Sequence, residues 1–386
     1  MGKGLDLMDV RIEPVVTPAQ LQQFIRFPWQ VYAHDPYWVP QLYHERLDFL
    51  DKRRNPFFAH TEAAYFIAWR GETAVGTIAA LINHRHNEFH DENIAHFGLF
   101  EVLRNEETAA VALLNAACAW AKNSGADKII GPMNLSTNDE CGLLIDGFDS
   151  SPVVMMTYNP PYYVDYMTAA GFDKAMDLWA WWADIHEVAH HLPEKLLRVV
   201  NKVRERDNLH VRNLDLRHWE REVALVKRIY NSAWAKNWGF VPMTEAEFDR
   251  LAHSLRPILD PAVTFAVEKN GETVAFALSI PDVNQPLHRF HPAPNQVSSW
   301  AASAYLWRNR YHTDGLRVLV LGVIEAYRRR GIDALLYYET AKAAVQRGYK
   351  WAEASWILEN NDMMNRGIAM MGAKIYKTYR IYERRL

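Results

Sequence analysis

The chain contains the same order of secondary-structure patterns twice. In the first half, hydrophobic periodicity and turn residues predict these elements: a strand at 10–16, a helix after 17, a hairpin at 63–80, a strand at 95–102, a helix at 106–122 and a strand from 127. The second half gives the corresponding elements: a strand at 209–214, a helix at 217–233, a hairpin at 264–280, a strand at 316–324, a helix at 330–346 and a strand at 350–358. Each half then ends with an asparagine, a short helix closed by glycine and a strand, at 159–183 and 361–382.

This repetition predicts two related lobes of mixed α/β (α+β) structure, because strands and helices alternate within each half. We expect a first lobe at 9–184 and a second at 209–386. Between them, residues 185–208 are rich in charge and carry apolar residues at helical spacing, which predicts a helical connector. A length of 386 residues agrees with two domains, since one domain usually has about 100–200 residues.

The composition predicts a globular protein without an extended charged surface. Hydrophobic residues make up 49% and charged residues 23% of the chain, which is enough to build a substantial core. A formal net charge of -3 provides no overall positive field, so nucleic acid is not an expected partner. Cys118 and Cys141 have no metal-ligand spacing, so we expect neither a disulfide framework nor a bound metal.

The sequence also predicts a cytoplasmic location. Residues 1–10 contain no apolar signal core, and Asp6 stands where a myristoylation signal would need Ser or Thr. The longest largely apolar stretch, 109–121, is too short to cross a bilayer core of about 30 Å. We expect no transmembrane segment, and the sequence is compatible with peripheral membrane contact.

A basic turn links the strand at 316–324 to the following helix. It reads Glu325-Ala-Tyr-Arg328-Arg329-Arg330-Gly331, so a strand end delivers the chain through three arginines and a glycine to a helix start. Unpaired N–H groups and the helix dipole make such a start a binding place for phosphate groups. The alternative is an ordinary basic turn with solvated arginines.

Residues 323–332 resemble the acyl-CoA-binding signature of the GNAT superfamily of N-acetyltransferases, Gln/Arg-x-x-Gly-x-Gly/Ala. Arg328 and Gly331 fill its first two fixed positions, while Asp333 replaces the third and is followed by Ala334. The resemblance implies two lobes, each with a mixed, mostly antiparallel sheet flanked by helices. It also implies these cofactor-binding residues: Leu321, Val323, Arg328, Arg329, Arg330, Gly331, Ile332, Ala334 and Asn361. Asn361 is equally well explained as an ordinary helix N-cap.

The resemblance further implies direct transfer of an acyl group from acetyl-CoA or another acyl-CoA to a small-molecule or lipid amine held between the lobes. Acetyl is the default donor. The backbone N–H of Val323 is the expected donor to the thioester oxygen, and Glu325 and Glu353 are the candidate bases. Many superfamily members protonate the leaving thiolate with a tyrosine at the position that is Ile368 here. We therefore assign Tyr376 and Tyr379, on the next strand, as candidate substitutes.

The first lobe lacks the glycine-bearing loop at the equivalent position. Glu106 and Glu107 stand at the helix start there and would repel pyrophosphate. We expect this lobe to shape the acceptor cleft or to support the second lobe, an arrangement that resembles the tandem lobes of N-myristoyltransferases and Fem-type aminoacyltransferases.

Several alternatives for the function remain open. The layout is also similar to large bacterial GNAT-like proteins linked to sphingolipid N-acylation, which would make the donor a long-chain acyl-CoA and the product a ceramide-like amide. Ile368 and Asp333 motivate a non-catalytic acyl-CoA-binding protein instead. Transfer from aminoacyl-tRNA is disfavoured by the arginine-rich loop and the absence of a basic field.

Two further groups of polar residues are candidates for metal or ligand binding. His84, His86 and His90 fall close together, and we interpret them as a polar loop in preference to a metal site. The polar stretches at 134–142 and 146–152 are typical of binding loops. Within the first of them, Asp139 and Glu140 would either attract a cationic amine or form a solvated face, and Cys141 has no neighbouring base in the sequence.

Overall fold

The computed structural model describes residues 10–190, 193–207, 209–234, 237–291 and 300–386. The chain divides into two compact units. Unit 1 comprises Met1–Met176, Phe290–Ser299 and Arg380–Leu386, and unit 2 comprises Asp177–Arg289 and Trp300–Tyr379. Two long strands therefore contribute residues to both units: β7 (Asp173–Asp184) and β13 (Lys374–Arg385).

Unit 1 contains a sheet flanked by helices. Its strands are β1 (Val10–Pro14), β2 (Thr61–Arg70), β3 (Thr73–Asn83), β4 (Ile94–Val102), β5 (Lys128–Gly131) and β6 (Leu143–Asp146). Its helices are α1 (Pro18–Arg26), α2 (Pro28–Val31), α3 (Tyr43–Leu50), α4 (His84–His90), α5 (Glu107–Asn123) and α6 (Tyr163–Ala169). β1 to β4 pair in chain order and antiparallel, β5 adds parallel to β4, and the end of β13 adds antiparallel to β5.

The core of unit 1 forms where α5 covers the sheet. Small and branched residues, among them Ala110, Leu113 and Ala117, are fully buried on one face of α5. Gly76 on β3 lets this helix approach, because a Cβ atom at that position would lie 2.7 Å from Leu113 Cδ1. The burial of this apolar face provides the main stabilisation of the unit.

Unit 2 has the same kind of architecture. Its strands, besides its parts of β7 and β13, are β8 (Leu209–Asn213), β9 (Phe265–Lys269), β10 (Glu272–Pro281), β11 (Gly315–Val323) and β12 (Trp351–Leu358). Its helices are α7 (Ile185–His190), α8 (Glu194–Asp207), α9 (Trp219–Trp234), α10 (Glu245–Leu255), α11 (Asn284–His288), α12 (Trp300–Asn309), α13 (Ile332–Arg347) and α14 (Asp362–Met370).

The strands of unit 2 lie in the order β7-β12-β11-β10-β9-β8. All neighbouring pairs are antiparallel except β11 and β12, which are parallel. The turn between β9 and β10 places Asn270 at φ 52° and Gly271 at φ 81°, as the Asn-Gly pair requires for a two-residue hairpin. The predicted mixed α/β, mostly antiparallel fold class is confirmed.

Two local expectations can be compared with the structure directly. The helix predicted after residue 17 is present as α1, where Pro18 lies in the first turn and Thr17 and Gln20 form a capping box. The polar loop expected at the three histidines is wrong, since they lie on helix α4. Asn83 starts this helix by accepting a hydrogen bond from the N–H of His86 over 3.1 Å, a cap that the loop interpretation overlooked.

Across the described ranges, no helix combines the length and the apolar character that crossing a membrane requires.

Candidate active site

The neighbouring strands β11 and β12 pair over only part of their length. Their parallel pairing runs from Gly315 and Trp351 to Val318 and Ala354, although β11 continues to Val323. Beyond this point β11 remains paired with β10 on its other edge. The edge of β11 that faces β12 is therefore released where the two strands part.

Backbone N–H groups lie along this released edge. The N–H of Ile324 donates to the carbonyl of Val274 on β10 over 3.0 Å. Because N–H directions alternate along an antiparallel strand, the N–H groups of Val323 and Leu321 point away from β10. They are thus directed to the side on which β12 has parted from β11.

The basic turn brings the chain from β11 to the start of α13. Gly331 is the N-cap residue, with φ 84°, and no side chain caps the helix. The N–H groups of the first turn, at Ile332, Asp333 and Ala334, therefore have no side-chain cap and form the kind of donor set that holds phosphate. This arrangement fits the pyrophosphate of a coenzyme A thioester.

Arg328 stabilises the turn by hydrogen bonds to two backbone carbonyls. Its Nε donates to the carbonyl of Val323 over 3.2 Å, and one terminal nitrogen donates to the carbonyl of Ala233 at the end of α9 over 3.0 Å. Arg330 lies over the ring of Tyr327, with 5.2 Å between guanidinium carbon and ring centroid. The first arginine of the motif thus connects the end of β11 to α9.

Gly331 has a packing role that the motif did not indicate. A Cβ atom at this position would lie 2.6 Å from Val199 Cγ1 and 2.9 Å from Val203 Cγ2, both on α8. These distances are too short for non-bonded carbon atoms. The glycine is therefore required for the contact between the basic turn and α8, in the segment predicted as a connector.

Glu353 lies at the centre of a buried polar cluster on β11, β12 and β13. Its side chain has no solvent exposure, and it accepts hydrogen bonds from the hydroxyls of Ser355 and Tyr376. Burial and the Glu353 carboxylate raise the pKa of Tyr376 well above its ordinary value. Tyr376 retains intermediate exposure, whereas Glu353 has none.

Tyr379 and Arg317 complete this cluster. Both are buried, at 0% and 1% exposure. The Tyr379 hydroxyl makes no hydrogen bond within the part of the chain that the structure describes. Arg317 donates to the backbone carbonyl of Ser355 over 3.1 Å, and burial lowers its pKa while Glu353 opposes that shift. Sequence reasoning missed Arg317, although a lone charge within the apolar strand at 316–324 was an available signal.

The other predicted residues lie apart from this cluster. Glu325 is exposed at the start of a short 3-10 turn, Glu325–Tyr327, so the structure brings only one of the two candidate bases to the tyrosines. The side chain of Asn361 caps α14 by accepting from the N–H of Met364 over 3.3 Å. Its N-cap role is therefore present, and a role toward the cofactor stays a prediction.

Ile368 is buried on α14. The resemblance implied a tyrosine at this position that would protonate the leaving thiolate. A different tyrosine reaches α14 from α13: the hydroxyl of Tyr337 donates to the sulfur of Met364 over 3.1 Å. Burial, and then the nearby carboxylate of Asp333, raise the pKa of Tyr337 above its ordinary value. Asp333 thus lies toward Tyr337, one helical turn along α13.

In unit 1, two of the acidic residues singled out in the sequence, Glu106 and Glu140, form ion pairs. Glu106 forms an ion pair with Arg70 at 2.7 Å at the start of α5. Glu140 pairs with Arg46, and this partner with further hydrogen bonds keeps the pKa of Glu140 low despite burial. Neither is an uncompensated site for a cation. The described residues also contain no group of three or more His, Cys, Asp or Glu arranged to hold a metal ion.

The chain is similar over nearly its full length to two bacterial proteins. It is 34% identical to the bacterial ceramide synthase of Caulobacter vibrioides over 386 residues, which cover 98% of each chain. It is 32% identical to Protein YghO of Escherichia coli over 371 residues, which cover 95% of this chain and 93% of that protein. No protein-family model matches the chain.

Solved structures show the same fold at low sequence identity. A tandem GNAT protein from the clavulanic acid biosynthesis pathway matches with a TM-score of 0.57 and 10% identity, over 98% of both chains. A GCN5-related N-acetyltransferase from Sphaerobacter thermophilus matches with a TM-score of 0.50 and 12% identity, over 97% of this chain and 95% of that chain. The predicted GNAT fold is confirmed.

Proposed function

Since the chain belongs to the family of the bacterial ceramide synthase of Caulobacter vibrioides and Protein YghO of Escherichia coli, we propose that it joins a long-chain acyl group to a lipid amine. The fold and this family make the chain an acyltransferase. A ceramide is the N-acylated form of a long-chain amino diol, so the relative's name favours such an amine as the acceptor. It also favours a long-chain acyl-CoA over acetyl-CoA as the donor.

One observation carries the proposal: β11 parts from β12 immediately before the turn that starts α13. The released edge offers backbone donors at Leu321 and Val323, and the turn offers the uncapped N–H groups of the helix. A thioester bound along this edge would have its pyrophosphate at the helix start. We therefore assign acyl-CoA binding to the lobe at 209–386 and a supporting or acceptor-binding role to the lobe at 9–184.

The released edge of β11 and the polar cluster around Glu353 have distinct roles in the proposed transfer. The N–H of Val323 donates to the thioester oxygen as negative charge develops there. Tyr376 accepts a proton from the attacking amine and passes its own hydroxyl proton to Glu353, because Glu353 itself has no exposure. The carbon–nitrogen bond forms and the carbon–sulfur bond breaks. The proton held by Glu353 returns through Tyr376 to the leaving thiolate, so that in total one proton moves from the neutral amine to sulfur.

The proposal is tested by measuring thiol release from acetyl-CoA and palmitoyl-CoA, each with and without a long-chain 2-amino-1,3-diol. We expect release from palmitoyl-CoA that depends on the amine. Release from acetyl-CoA alone would support the small-donor alternative and overturn the long-chain assignment. If neither donor releases thiol with any amine, the transferase proposal fails.

A further inference from the structure

Unit 1 contains a second carboxylate held by tyrosine hydroxyls, which is partly buried and has no role in the transfer proposed for unit 2. Glu101 lies on β4 between the buried side chains of Phe100 and Val102. The hydroxyls of Tyr32 and Tyr163 both donate to its Oε2 atom, each over 2.8 Å. Charge-assisted hydrogen bonds of this length fix the orientation of the carboxylate.

The other oxygen of this carboxylate is directed to a more accessible side. Glu101 Oε1 accepts no hydrogen bond from the residues that the structure describes. Glu101 retains intermediate solvent exposure, whereas Tyr32 and Tyr163 are fully buried. Burial, opposed by the two tyrosines and Arg46, raises the pKa of Glu101 to about 7. The carboxylate is therefore held from one side and open to a ligand from the other.

A second carboxylate lies near this position. The hydroxyl of Tyr158 lies 3.0 Å from each carboxylate oxygen of Asp35. Tyr162 lies near both carboxylates, because the pKa of its hydroxyl is raised first by burial and then by charges that include Glu101 and Asp35. The hydroxyl of Tyr32 is 2.8 Å from Glu101 and 3.1 Å from the backbone carbonyl of Tyr158. The rings of Tyr32 and Tyr158 are 6.0 Å apart between centroids. Glu101 and Asp35 therefore lie on the same group of tyrosines, Tyr32, Tyr158 and Tyr162.

Among the residues that the structure describes, no cation forms an ion pair with either carboxylate of this site. Arg46 donates to Glu140 and Gln41, so its charge is already paired. Within the described ranges, neither Glu101 nor Asp35 forms an ion pair. Tyr158 and Tyr162 retain intermediate exposure and offer aromatic surface beside the carboxylates. Carboxylates combined with aromatic rings are a favourable environment for an organic cation.

We propose that Glu101 and Asp35, together with Tyr158, bind the protonated amine and a neighbouring hydroxyl of the acyl acceptor in unit 1. The proposal rests on the proposed transferase function, because that function supplies the amine. The chemical class is a primary ammonium next to a hydroxyl group, as in an amino diol. The ammonium would donate to Glu101 Oε1, and the hydroxyl would lie toward Asp35 and Tyr158.

The test measures binding of a short-tailed, water-soluble 2-amino-1,3-diol to the full chain without acyl-CoA, by titration calorimetry. We compare the native protein with Glu101→Gln, whose amide oxygen can still accept from Tyr32 and Tyr163. Loss of the charged hydrogen bond should weaken binding about tenfold or more. Glu72→Gln, in the exposed turn between β2 and β3, is the matched control and should bind like the native protein.

The outcomes separate this inference from the proposed function. Palmitoyl-CoA binding should be equal in the native protein and Glu101→Gln, which shows that the variant is folded. If the native protein and Glu101→Gln bind the amino diol equally, or if the native protein does not bind it, the inference is overturned. If the native protein binds the amino diol through Glu101 but never acylates it, the site stands and the transferase proposal fails.

Discussion

At the scale of single residues, each unit holds a glutamate by tyrosine hydroxyls, but the two carboxylates differ in burial and in electrostatic surroundings. Glu353 has no exposure and lies near the buried cation of Arg317. Glu101 keeps some exposure, and Arg46, a cation that acts on it, is paired with Glu140. Glu101 therefore carries the cost of burial with little compensation, which accounts for its raised pKa.

This raised pKa predicts a pH-dependent difference between the native protein and Glu101→Gln. The pKa of Glu101 rises from 4.5 to about 7 on folding, so the folded state binds more protons than the unfolded state between these values. The native free energy of unfolding should therefore fall as pH rises, and glutamine removes this contribution. We expect the variant to gain about 1–3 kcal/mol relative to the native protein between about pH 5 and pH 8.

Urea denaturation at about pH 5 and about pH 8 measures this difference in the free energy of unfolding. Glu72→Gln, at an exposed position, is the control. Parallel pH profiles for the native protein and Glu101→Gln would contradict the assigned pKa shift.

Tyr376 supports a second prediction at the residue scale. Tyr376→Phe removes the hydroxyl that donates to Glu353, so kcat should fall about tenfold to hundredfold. The KM for acyl-CoA should change little, because the phenyl ring stays in place. Tyr338→Phe, on α13, is a control that removes a hydroxyl away from Glu353. Equal kcat values in Tyr376→Phe and the native enzyme would exclude the relay.

At the scale of elements, the sequence predicted the strand, basic turn and helix that form the β11–α13 segment, because their patterns are local. It could not predict that Gly331 packs against Val199 and Val203, since residues far apart in sequence make that contact. The same limit applies to the tyrosines around Glu101, which come from α6 and from the residues after α2. The periodicity of a strand or helix carries no information about such partners.

The contact of the basic turn with α8 predicts unequal effects for two glycines of similar conformation. Gly331 and Gly348 flank α13 with φ 84° and 81°, but a Cβ atom at 348 would meet nothing within 4 Å. Gly348→Ala should therefore cost about 1 kcal/mol, from backbone strain alone. Gly331→Ala should cost about 1–3 kcal/mol more, because it also overlaps two valines.

Chemical denaturation of both variants gives these differences. Adding Val199→Ala to Gly331→Ala should recover part of the lost free energy of unfolding. The packing role of Gly331 would be contradicted if the two glycine variants lose equal free energy of unfolding and Val199→Ala recovers none of it.

At the scale of the whole molecule, the repeated order of elements was sufficient to predict the fold class, because that order is visible in the sequence itself. It did not indicate that the last residues, Arg380–Leu386, belong to unit 1. There the end of β13 pairs with β5, from Tyr382 opposite Gly131 to Arg385 opposite Lys128. Strand pairing over such a sequence separation depends on tertiary structure, which local patterns cannot specify.

For the whole molecule, we propose that this chain forms an amide between a long-chain acyl group and a lipid amine. The most direct test incubates the purified chain with equal concentrations of palmitoyl-CoA and acetyl-CoA and a long-chain 2-amino-1,3-diol, and identifies the products by mass spectrometry. The account predicts the N-palmitoyl amide as the main product, with one thiol released per amide. Formation of only the N-acetyl amide, or of no amide, would contradict it.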